Sequence, residues 1–120
     1  MKSAHLRQGS AAEAAAEQFL QKAGLTVKRK NYSCRHGEID LVMDDGSELV
    51  FVEVRYRRDD SYGGPAASID HAKQQRLKRS ADHYLQTHNS EGHDGCRFDV
   101  MAVSGTGPEY RFDWVTNAFW

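Results

Sequence analysis

The order of predicted elements (helix, strand, strand, strand, helix, strand) describes an α/β sandwich: a mixed sheet with an antiparallel hairpin and helices on its faces. Three observations carry that reading. Gly37 to Arg55, GEIDLVMDDGSELVFVEVR, alternates with period two on either side of Asp44, Asp45, Gly46 and Ser47, which have turn chemistry. Residues 10–23 and 68–88 carry apolar side chains at helical spacing on either side of it. Arg97 to Val103, RFDVMAV, alternates again and supplies a further strand.

At 120 residues the chain fits one domain spanning 1–120, large enough to bury roughly two-thirds of its unfolded surface. A formal net charge of −1 excludes a polycation that coats nucleic acid indiscriminately. No apolar run approaches the roughly 18 residues that a membrane span needs. MKSAHLRQGS lacks the hydrophobic core of a signal peptide, and Cys34 and Cys96 make no disulfide framework. A cytoplasmic protein with no membrane partner is expected.

The first helix, Ser10 to Ala23, is Ala-rich and stopped by Gly24, with Ala12, Ala16, Phe19, Leu20 and Ala23 as its apolar stripe. Ser10-x-x-Glu13 has the form of a capping box with Glu13 at N3, and Glu17 points to solvent. Leu25 to Ser33 reads as a strand, and its basic content suits an outer position with one wet face.

In the hairpin Ile39, Leu41 and Met43 share one face, and Glu38, Asp40 and Val42 the other. Val50, Val52, Val54 and Tyr56 oppose Phe51, Glu53 and Arg55. A strand this apolar belongs at the centre of a sheet, where a carboxylate is expensive unless it is paired or bound to a metal. In the obvious register Asp40 joins Glu53 and Arg55 on one face. Two readings follow: structural ion pairs, or a two-carboxylate Mg²⁺ site.

Asp59 to Ala67 is a turn-rich loop, either a connector or a substrate contact. The second helix, Ser68 to His88, has Ile69, Ala72, Leu77, Ala81 and Tyr84 as its apolar face with Lys73 in the middle. Lys73 either snorkels to the rim or reaches toward the carboxylates. Asn89 to Gly95 is a linker, and Asp99 in the strand after it is an internal hydrogen-bonding or ion-pair partner. Gly105 to Pro108 turns the chain, Tyr110 to Val115 adds a final strand, and Thr116 to Trp120 is a short apolar tail. Its Phe119 and Trp120 either pack on the core or meet a partner. The spacings of Cys34, His36, His93 and Cys96 do not make zinc knuckles, and there is no P-loop, dinucleotide fingerprint or nucleophile elbow.

GEIDLV, then FVEVR followed by Arg57, resembles the signature of the YraN family of small bacterial endonuclease-like proteins. The wider pattern is similar to the PD-(D/E)xK nucleases, archaeal Holliday junction resolvases especially. The likeness takes in the first helix, Asn31, Gly64-Pro65, Lys73 and Arg97 to Val100. It implies a restriction-endonuclease-like three-layer sandwich and a nuclease acting on DNA, possible substrates including branched or structured DNA. By that resemblance Asp40 and Glu53 hold Mg²⁺, with Mn²⁺ able to substitute, and Glu13 and the Val54 carbonyl complete the shell. Arg55 and Lys73 then stabilise transition-state charge. Lys28, Arg29, Lys30, Arg35, Arg57, Arg58 and Arg76 contact backbone phosphates, and a homodimer is expected by analogy with the resolvases. The family triplet ends in Lys where this chain has Arg55, which stays protonated and cannot take a proton from water. An alternative is therefore a nucleic-acid-binding module on the same fold without turnover.

Overall fold

The computed structural model describes the backbone of residues 4–57, 69–88 and 95–119, and their side chains from residue 10 onward. The elements are α1 (Ala4–Lys22), β1 (Thr26–Cys34), β2 (Gly37–Asp44), β3 (Glu48–Arg57), α2 (His71–His88), β4 (Gly95–Ser104) and β5 (Arg111–Phe119). One sheet has the order β1-β2-β3-β4-β5; β3 and β4 are parallel and the other neighbours antiparallel. α2 sits in the crossover that a parallel pair requires. This is the predicted α/β sandwich, compatible with a restriction-endonuclease-like core. Arg58, Gly64-Pro65 and the rest of the 59–67 loop, most of the 89–95 linker and Trp120 lie outside the described residues. No described helix is long and apolar enough to cross a membrane.

Strand alternation divides the core in two. Ala12, Ala16 and Leu20 of α1 pack with Leu41, Met43, Val50, Val52, Met101 and Val103. Leu77, Ala81 and Tyr84 of α2 pack on the other face with Val42, Leu49, Phe51, Phe98 and Val100. β3 contributes to both clusters, as a central strand covered on each side must.

Helix ends differ from the sequence reading for identifiable reasons. α1 begins at Ala4, so Ser10 lies inside it and the capping box does not form; Leu6, Arg7 and Gln8 are good helix formers and carry the helix through Gly9. At its other end Leu25 N–H donates to Leu20 O and Gly24 N–H to Gln21 O, both at 3.0 Å, with Gly24 at φ +108°. That is a Schellman closure, and Leu20 and Leu25 make its apolar contact. Ala23 is left outside the helix and exposed. Phe19 is 37% exposed rather than buried, with its ring stacked on Phe112 of β5. Glu17 pairs with Lys30 at 3.5 Å. α2 starts later than predicted because Asp70 caps it, its Oδ1 accepting the Lys73 N–H at 2.8 Å; Ala72 consequently faces solvent.

The Thr116 to Trp120 tail is strand as far as Phe119, whose ring stacks on Phe98 at 4.9 Å. The reading as a tail failed because Asn117 takes φ +50° and the β4–β5 register shifts beside it. Asp99, fully buried, fills the gap. It accepts from the Asn117 N–H and Trp114 Nε1–H, both at 2.9 Å, and from Arg97 at 3.0 and 3.3 Å. Arg97 also reaches Asp45 at 2.6 Å and Glu48 at 3.2 Å, tying the β2–β3 turn to β4. Backbone N–H groups of Glu48 and Ser47, helped by Arg97, pull Asp45 down to about 2. Asp45 therefore adds stability above its ordinary carboxylate range that disappears as pH falls through about 2. Asp99→Ala strands Arg97 and the Trp114 indole without their acceptor and is expected to cost about 3–5 kcal/mol, read as a lower urea midpoint at unchanged slope.

Candidate active site

The site forms where β2 leaves β3. Their ladder runs from Asp44↔Leu49 to Leu41↔Val52 and stops one residue short of Asp40. Asp40 replaces the missing rung with its side chain, Oδ2 accepting the Val54 N–H at 2.8 Å. Alternation slips here: Ile39 packs on the α2 side with Val42, not with Leu41 and Met43 as the sequence predicts. In β1, Asn31 lies between the pairs Lys30↔Leu41 and Tyr32↔Ile39 and holds φ +52°, a conformation Asn tolerates better than most residues.

A cavity of about 330 Å³ opens beside this break. Asp40, Glu53, Val54 and Arg55 line it from the strands, Gly37 and Glu38 from the start of β2, and Lys73, Arg76 and Leu77 from α2. Glu53 is 4% exposed. Lys73 Nζ lies 2.6 Å from Glu53 Oε2, and Arg55 Nη1 lies 3.7 Å from the same oxygen. Lys73 therefore does not merely snorkel. Burial first, then the charge of Glu53 and a hydrogen bond with it, push the Asp40 carboxyl up to about 8 despite the Val54 N–H.

Glu13 approaches from α1. The Asn31 carboxamide faces two acids, and its nitrogen donates to Glu13 Oε1 at 2.9 Å and Glu38 Oε1 at 3.1 Å. Burial and the charge of Glu38 raise the Glu13 pKa. Among the described residues no three His, Cys, Asp or Glu side chains form a ready metal-ligand group. Asp40 and Glu53 meet as a pair; Glu13, bridged through Asn31 to Glu38, does not line the pocket, although it feels the charge of Glu53.

The predicted cations divide. Arg55, Lys73 and Arg76 line the pocket. Lys28, Arg29, Lys30 and Arg35 are exposed along β1 and its turn, Lys30 paired with Glu17, and Arg57 lies opposite Ser104 on β3; none of these lines the pocket. Glu38 in the lining and the bridging role of Asn31 were not anticipated. The family likeness includes Asn31 but assigns it no role, and in a strand as polar as TVKRKNYSC its polarity singles it out no further.

A family model described as the uncharacterised protein family UPF0102 matches residues 12–103. A UPF0102 protein of Nitrosomonas europaea is 53% identical over 111 residues, covering 92% of each chain. One from Stutzerimonas stutzeri is 48% identical with the same coverage, and one from Ectopseudomonas mendocina is 46% identical over 98% of each.

Folded Asp40 keeps a proton that the unfolded chain releases near its ordinary value of 3.8. In metal-free solution this contribution is complete at acid pH and is lost as pH rises through about 8. Asp40→Asn is expected to flatten that decline, so urea titrations with chelator present should show the variant gaining on the wild type between pH of about 5 and about 9.

Proposed function

The chain belongs to the uncharacterised family UPF0102, the YraN family of PD-(D/E)xK nuclease-like proteins, and from that premise we propose that it is a metal-dependent nuclease cleaving phosphodiester bonds of DNA, branched or structured DNA included. The observation that carries this reading is the convergence of Asp40 and Glu53 on one solvent-open pocket, with Lys73 and Arg55 at 2.6 and 3.7 Å from the same Glu53 oxygen.

The donors suit Mg²⁺ or Mn²⁺. Carboxylate oxygens are hard ligands, and Mg²⁺ is commonly held by one or two carboxylates while it keeps several waters and binds substrate phosphates. Asp40 and Glu53 would hold it, with Val54 of the lining offering its carbonyl, and Glu13 would have to reach in from α1 to add a further oxygen. When bound, the ion lowers the pKa of a coordinated water and polarises a phosphoryl oxygen. The chain's own cations complete the chemistry. Arg55 remains protonated, so its role is to stabilise negative charge on the reacting phosphate, and Lys73 stands beside it on α2. Arg76 at the pocket, with Lys28, Arg29, Lys30, Arg35 and Arg57 further out, would grip backbone phosphates without reading sequence, and Arg58 is proposed for the same role from its place in the sequence. A homodimer, by analogy with the resolvases, belongs to the same proposal.

Arg55 in the lysine position favours one second reading, a nucleic-acid-binding module without turnover. Incubating duplex, single-stranded and four-way-junction DNA with Mg²⁺ or Mn²⁺ separates the two. Cleavage that drops at least about a hundredfold in Asp40→Ala and Glu53→Ala is the expected result. Salt-sensitive binding with no product under any of these conditions would leave the binding module in its place.

A further inference from the structure

We propose that the Lys73 ammonium is a built-in competitor for the Glu53 carboxylate, holding it in the cation-free protein and yielding it when a divalent cation binds. The inference rests on the metal-dependent reading above. It adds to that reading a means by which the chain regulates occupancy of its own site.

The geometry is specific. Lys73 Nζ is 2.6 Å from Glu53 Oε2, within strong charge-assisted hydrogen-bond range, while Arg55 Nη1 stands back at 3.7 Å from the same atom. Glu53 has a side chain only 5% exposed; that of Lys73 is 35% exposed. The acid is enclosed and the ammonium sits at the mouth of the cavity. Asp70 fixes the Lys73 backbone at the start of α2 by accepting its N–H at 2.8 Å, and the ammonium is carried on a four-carbon stem with several rotatable bonds.

A buried carboxylate next to a second one is costly without a cation, so the ammonium stabilises the pair. The ammonium takes up one lone pair of Oε2, so an ion bound through that oxygen would sit beside it, and two cations on one carboxylate oxygen repel each other strongly in an enclosed site. Lys73 and an ion at that oxygen therefore oppose each other's binding. Whatever Lys73 contributes to the cation-free fold is subtracted from cation affinity. Once it lets go, the ammonium is free to meet an entering phosphate, as Arg55 and Arg76 of the same lining can.

Mn²⁺ binding measured by calorimetry on the full chain, without nucleic acid and at one fixed pH for all variants, tests this. Lys73→Gln, which keeps much of the stem and removes the charge, should bind Mn²⁺ about tenfold more tightly than the wild type. Lys73→Arg should stay within about threefold of the wild type, since its charge is retained. Lys73→Gln should also unfold more readily than the wild type when cation-free, and Mn²⁺ should narrow the gap. Equal or weaker Mn²⁺ binding by Lys73→Gln would overturn the competitor role while leaving the metal site intact. If neither protein binds Mn²⁺, both the competitor and the metal-dependent reading fall. A merely structural lysine would lower stability without tightening the cation.

Discussion

Two carboxylates forced into one small space govern the architecture around this site. Asp40 and Glu53 share a pocket because β2 and β3 diverge just before Asp40 would otherwise pair, and each acid must then find compensation locally. Asp40 obtains it from the Val54 N–H, Glu53 from Lys73 and, at longer range, Arg55. These contacts come from three elements that meet only in the folded sheet. The cluster of cations answers that crowding, and the upward shift of Asp40 reflects its burial first and the neighbouring Glu53 second.

A second polar network lies beyond the hydrophobic packing and does a different task. Arg97 joins Asp45, Glu48 and Asp99, and Asp99 in turn accepts from Trp114 and Asn117. The network fixes the β2–β3 turn and the β4–β5 irregularity. The cavity beside it, lined by Glu48, Cys96, Arg97, Thr116 and Asn117, brings no two carboxylates together among the described residues. The contrast is instructive. Both clusters combine buried acid with basic partners, but at Asp99 the donors converge on one buried carboxylate, whereas at Glu53 the cations and two neighbouring carboxyl groups line one cavity.

The heart of the site was legible because β periodicity is strict. Asp40, Glu53 and Arg55 could be set on one face from the sequence, and Lys73 could be turned toward them from its position between Ile69 and Leu77. What escaped depended on tertiary context. Ile39 is apolar and packs acceptably on either face, so nothing local revealed the slip at Asp40. The Ser10-x-x-Glu13 signature competed with helix formers before it and lost. Asn31 and Asn117 adopt left-handed conformations inside strands, which sequence patterns do not report, and in each case a carboxylate lies within reach: Glu13 and Glu38 for the first, Asp99 for the second. Thr116 and Asn117 therefore read as the end of a strand that continues past them.

The outer strands have a consequence for how copies of the chain meet. β1 carries a bulge between Val27 and Arg29 among exposed Lys28, Arg29 and Lys30, and β5 is interrupted at Asn117. An incoming strand would have to match an irregular backbone on one side and tolerate a row of positive charge on the other. Sheet extension from molecule to molecule is thereby discouraged at both borders, which favours solubility in a crowded solution even though the sheet itself is never closed.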